Sequence, residues 1–184
     1  MGFHDLKVMV IMGTVALFLV FGTIPAQAIP IQVNFTAKGF ESFFSPSTNP
    51  PTDPVIGTII YEAESITANI DSLTSINLII DGHAYPVSEI GYISPFPDSR
   101  QKIGGKSMGV DRILSGTDDF YLDWFKETLN PLMFTYTSSS HGGIWNSYTF
   151  SSFSVAAVPE PTTKLLLGLG LVGLVGVRRK NEFK

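Results

Sequence analysis

His83 and His141 are the two imidazoles between Ile29 and Ala157. A histidine beside a serine and an orienting acid would make a hydrolase. No G-x-S-x-G elbow accompanies them, and with serine this abundant some hydroxyl falls near a histidine in any fold. No catalytic residue is assigned. Asp118-Asp119 with Asp123 is the densest run of cation ligands. On an extended strand Asp119 and Asp123 share a face and Asp118 does not, so a shared calcium needs a bulge or a loop. The twelve-residue calcium-loop pattern is missing, and solvated acids are the expected reading, with no metal and no cofactor. Paired carboxylates for glycoside hydrolysis could be drawn from many acids, but their separation is not written in the sequence. The absence of cysteine excludes thiol catalysis, disulfides and Cys-based metal sites.

Aromatic side chains offer a different chemistry. Trp124, Trp145, Tyr148 and Tyr121 could present flat apolar faces to the C–H face of a sugar. Trp145 lies in Ser138 to Asn146 (SSSHGGIWN), a run of small residues that suits an exposed loop. Trp145 and Tyr148 are therefore the candidate glycan contacts. Against them stands the need of a disulfide-free domain for a large aromatic core.

The elements that would hold these residues are strands. Gly57 to Ala63 is β-rich, and Ile66, Ala68 and Ile70 alternate with polar residues. Ile76 to Ile80, Asp81-Gly82 and His83 to Val87 predict a hairpin with a two-residue type I′ turn. Phe120, Leu122 and Trp124 alternate, as do Leu132, Phe134 and Tyr136, and Tyr148 to Val155 closes the domain. Asp123 to Leu129 could form one helical turn, stopped by Pro131. Six to nine such strands favour an antiparallel β-sandwich or jelly roll over a barrel. Ser45 to Pro54 and Ser94 to Gly109 are expected to be long loops, the usual place for binding surfaces. Between Ile29 and Ala157 six Lys and Arg face thirteen Asp and Glu, a net −7 against −4 for the whole chain. A body of that sign offers nucleic acid no footprint.

Both ends are oily. Lys7 precedes the uncharged Val8 to Phe21, then Pro25 and Ala26-Gln27-Ala28. This is the charged start, apolar core and A-x-A exit of a signal peptide over 1–28, with Ala26 and Ala28 read by signal peptidase and Ile29 the new terminus. The alternative is a retained anchor. Near the other end, Pro159-Glu160-Pro161 forms a stiff extended segment that no helix or sheet absorbs. Thr162 to Val177 follows without an acid, and Arg178-Arg179-Lys180 comes next. Sixteen helical residues span roughly 24 Å, short of the roughly 30 Å hydrocarbon core, a gap that snorkelling by Lys164 and Arg178 could close. The basic cluster sets a stop-transfer orientation, body outside and Arg178-Arg179-Lys180 inside.

This ending resembles the PEP-CTERM sorting domain of exported bacterial proteins. Val158-Pro159-Glu160-Pro161 matches its motif, 162–177 its membrane segment and 178–180 its basic end. The body also loosely resembles the β-rich domains that precede such tails. The resemblance implies a Sec-exported precursor held in the inner membrane, an exosortase-type membrane peptidase as partner, and association with exopolysaccharide. The expected organisation is 1–28 signal peptide, 29–157 exported β domain and 158–184 sorting tail, with a signal helix and a transmembrane helix at the ends. The expected function is a non-enzymatic surface or matrix protein. A carbohydrate-binding module is the alternative, and a hydrolase on a jelly-roll scaffold a more distant one.

Overall fold

A computed structural model describes residues 28–44, 49–107 and 109–159. Residues 1–27 of the expected signal peptide, with its Ala26, the expected membrane segment 162–177 and the residues Glu160, Pro161, Arg178, Arg179 and Lys180 lie outside the described residues, as do both expected terminal helices. The described residues form eleven strands in two antiparallel sheets. One sheet runs β11-β1-β3-β4-β5 and the other β2-β10-β9-β8-β7-β6.

β1 (Ile29–Lys38) is the longest strand and lies inside the first sheet, between β11 (Thr149–Ala157) and β3 (Val55–Ala63). Ile31, Val33, Phe35 and Ala37 are buried while Gln32, Asn34 and Thr36 alternate outward, the period-two pattern of a strand with one packed face. Phe35 lies opposite Gly57, and a Cβ on Gly57 would meet the ring at 2.4 Å, so the ring needs that glycine. β4 (Ser72–Ile80) turns into β5 (His83–Ala84) through Asp81 (φ 50°) and Gly82 (φ 82°), the two positive φ values that a type I′ turn requires. β5 is shorter than the expected arm: Tyr85 turns into the core and Pro86 has no N–H to give.

The second sheet is a meander of β6 (Ile90–Phe96), β7 (Arg100–Gly105), β8 (Phe120–Phe125), β9 (Pro131–Thr137) and β10 (Ile144–Ser147), edged by β2 (Glu41–Phe44). Five consecutive strands in one sheet make this a sandwich with a meander rather than the interleaved strand order of a jelly roll. Rings from both sheets meet between them: Phe35 on Phe134 at 5.2 Å, Tyr61 on Trp124 and Trp124 on Phe153 at 6.4 Å each. They belong to a single core cluster.

Three expectations are corrected. Ser94 to Gly109 is not a loop, because β7 runs through it with Gln101 to Gly105 buried. Ile66, Ala68 and Ile70 are not on a strand. They lie in the β3–β4 connection, where Ala68 N–H donates to Ser65 O at 3.0 Å and the apolar side chains lean on the core. Asp123 to Phe125 belongs to β8, so the expected helical turn reduces to a tight turn in which Leu129 N–H donates to Phe125 O.

Candidate functional site

The aromatic candidates divide sharply. Trp124 and Trp145 are fully buried, and Trp145 stacks on Tyr136 at 5.4 Å. The expectation of Trp145 as a glycan contact is corrected: the small residues around it end in β10, which β9 and β2 hold from both sides, so its ring has no open face. Tyr148, one residue past β10, is 68 % exposed.

Tyr148 stands beside the face of the second sheet that points away from the first. Pairing sets the residues of that face in rows. Tyr121 lies opposite Thr135, Thr135 opposite Asn146 and Asn146 opposite Glu41, across β8, β9, β10 and β2. A neighbouring row holds Lys102, Asp123 and Met133. Phe43, Ile113, Tyr121, Met133, Thr135, Ile144, Asn146 and Tyr148 surround a depression of about 460 Å³, within the range of small-ligand sites. None of the side chains lining it is charged.

Beside this depression is a buried ion cluster. Asp123 is inaccessible, with Arg100 Nη1 at 3.0 Å and Lys102 Nζ at 3.8 Å from Oδ2. The Lys102 ammonium also lies 4.5 Å from the Phe96 ring centre and 4.2 Å from that of Tyr121. Burial pushes the Asp123 carboxyl up against the pull of Lys102 and Arg100, and burial draws Lys102 down against the opposing effect of Asp123. Both shifts disfavour charge, so desolvation exceeds the attraction within the pair. The three aspartates of the sequence do not converge. Asp118 accepts Ser139 N–H at 2.9 Å and Ser139 Oγ–H at 2.6 Å, Asp119 Oδ1 accepts Phe120 N–H, and Asp123 faces the two cations. Among the described residues no three His, Asp or Glu side chains are gathered to hold a metal ion.

The histidines do find acids. His83 Nε2 is 2.9 Å from Glu89 Oε2, with Asp118 4.0 Å from its other nitrogen. Among the described residues, His141 joins Ser138, Ser140 and Asp81 in a grouping that has the residue types of a hydrolase. The geometry differs from a relay. Ser138 Oγ–H and Ser140 Oγ–H both donate to Asp81 Oδ2, and His141 Nδ1 contacts that same oxygen at 2.8 Å. The serines approach Nδ1, the nitrogen facing the acid, whereas a triad sets nucleophile and acid on opposite ring nitrogens. The cluster fastens the β4–β5 turn of one sheet to the β9–β10 connection of the other. Desolvation works upward on Asp81, and the hydrogen bonds from Ser138, Ser140 and His141 together outweigh it, so the carboxyl lies below its usual range.

The fold reaches its last strand just before the proline-rich segment. β11 ends at Ala157, opposite Ile31, and Val158 N–H donates to Pro30 O at 2.8 Å. Pro159 is the next residue and is exposed. Residues 157–180 match the family model of the PEP-CTERM protein-sorting motif. The chain carries a PEP-CTERM motif. Comparison with curated proteins finds no match, and comparison with solved structures finds none. The motif marks an exported precursor held at the membrane and passed to an exosortase for display at the surface. No described linker separates the folded body from the motif, and Ala28 directly precedes β1, so the first described residue and the start of the motif lie on neighbouring strands.

Proposed function

We propose that this PEP-CTERM protein is a non-enzymatic component of the cell-surface matrix, associated with exopolysaccharide. Signal peptidase releases it at Ala28 after Sec export. The segment 162–177 then holds it in the membrane with Arg178, Arg179 and Lys180 inside, until an exosortase acts at Val158-Pro159-Glu160-Pro161. The observation that carries the reading is the sorting motif starting where the last strand of a self-contained sandwich ends. The non-enzymatic part is supported by the Asp81 cluster, whose serine hydroxyls are bound to the acid itself. A hydrolase reading draws no support from that arrangement.

Replacing Pro159-Glu160-Pro161 by alanines tests the reading. Intact masses from the envelope and from the medium of the native host should show the parent beginning at Ile29 and ending near Pro159, and the variant as an uncut membrane form. Identical processing of the two proteins would refute it. A second reading, that the body binds carbohydrate, is favoured by the exposure of Tyr148 beside an uncharged depression.

A further inference from the structure

We propose that the outer face of the β2-β10-β9-β8 strands is a binding site for the ring of a neutral sugar, framed by Tyr148 and Phe43 and floored by Tyr121, Thr135 and Asn146. The inference rests on the matrix reading above for the source of the ligand, and on the structure for its chemistry. Phe43 is 63 % and Tyr148 68 % exposed, so two large apolar side chains stand out of a sheet whose other rings are mostly packed inward. Both border the same 460 Å³ depression. Scattered exposed apolar residues need no explanation, but two aromatic rings on one concavity do.

Three features select the occupant. The lining has no charged side chain, so an anionic or cationic ligand would be desolvated there without a counter-charge. It has polar groups in a row, Tyr121, Thr135 and Asn146, whose hydrogen-bonding capacity a purely apolar ligand would leave unmet. The Asn146 side-chain oxygen is shielded and has no hydrogen-bond partner. The amide turns on a broad χ2 torsion, so rotating that oxygen toward a ligand hydroxyl gains a bond the empty site lacks. A neutral molecule with an apolar face for the rings and hydroxyls at its edge meets all three conditions, and a pyranose is that molecule. The flanking row fixes the floor. The Lys102 ammonium lies 4.2 Å from the centre of the Tyr121 ring, itself on the edge of the site, and is held by Asp123.

The full chain, reconstituted in lipid nanodiscs, is titrated calorimetrically with cellohexaose, laminarihexaose, xylohexaose and mannohexaose, and with oligoalginate as the anionic comparison. At least one neutral hexasaccharide should bind saturably. Tyr148→Ala and Phe43→Ala should each weaken it about tenfold, the loss of roughly one ring face of apolar contact. Asn146→Leu should weaken it as well. Ile79→Ala, on the outer face of the other sheet, should leave affinity unchanged, and unaltered melting temperatures certify the folded state. The proposal is overturned by heats indistinguishable from buffer with all four neutral sugars, by preference for oligoalginate, or by affinity that survives both aromatic substitutions. Self-association abolished by Tyr148→Ala in place of sugar binding overturns it too. The titration is independent of processing, so its failure and that of the sorting reading are read separately.

Discussion

Removing Asp123 should cost far more than removing Lys102, although the two form one ion pair. The Asp123 side chain is 1 % and that of Lys102 8 % exposed. Asp123→Ala leaves the Lys102 ammonium buried without a carboxylate. Breaking a buried pair from one side typically costs about 3–5 kcal/mol, and here the lower end applies because Arg100, 21 % exposed, can turn to solvent. The expected loss is about 3 kcal/mol. Lys102→Met keeps the aliphatic stem and leaves Asp123 bonded to Arg100 at 3.0 Å. It loses two cation–ring contacts and removes an ammonium that burial already disfavours, so the net cost is about 1 kcal/mol or less. The double variant should cost less than the sum, with a coupling of about 1–2 kcal/mol. Urea unfolding of residues 28–159 checks this, read by the fluorescence of the buried Trp124 and Trp145. Equal losses for the two single variants, or a loss below about 0.5 kcal/mol for Asp123→Ala, would refute the assignment of the burial cost to the lysine side.

Two further outcomes follow from the same geometry. Trp145→Ala should destabilise the body by about 3–5 kcal/mol in urea, because it empties a fully buried site against Tyr136, while Tyr148→Ala should change stability by less than about 0.5 kcal/mol. Asp81→Asn should lower stability at neutral pH by about 1–2 kcal/mol. The folded carboxyl lies below its ordinary value of about 3.9, so its contribution is complete above about pH 5 and is lost as pH falls through the folded value. The gap between the melting temperatures of parent and variant should therefore close as pH falls through the folded value, and a gap that does not narrow in acid would show that the carboxylate charge is not what holds the turn in place.

What the sequence made legible was local. Asp81-Gly82 announces its turn because two adjacent positive φ values need residues that tolerate them, and both are present. Phe120, Leu122 and Trp124 alternate because β8 has one face on the core. β7 was illegible for the opposite reason. Arg-Gln-Lys-Ile-Gly-Gly looks like solvated loop, and the groups that let its cations be buried, Asp123 and Tyr121, come from a strand about twenty residues further on. Trp145 misled for the same reason. Its neighbours are small and polar, but its burial is decided by Tyr136 on β9 and by the register with β2. β1 is different: Ile31, Val33, Phe35 and Ala37 alternate as plainly as any strand, and the same period-two count that found β8 would have found it.

The sorting motif and the proposed sugar site are placed at opposite ends of one strand. Tyr148 immediately precedes β11 and Val158 immediately follows it, and nine extended residues separate them by about 30 Å. β11 is not a free tether over that distance, because eight of its residues pair with β1, which is itself locked to β3. The edge strand that leads into the motif is therefore fixed in position relative to the groove. Whatever group the processed end is joined to, the groove stands one strand length away from it.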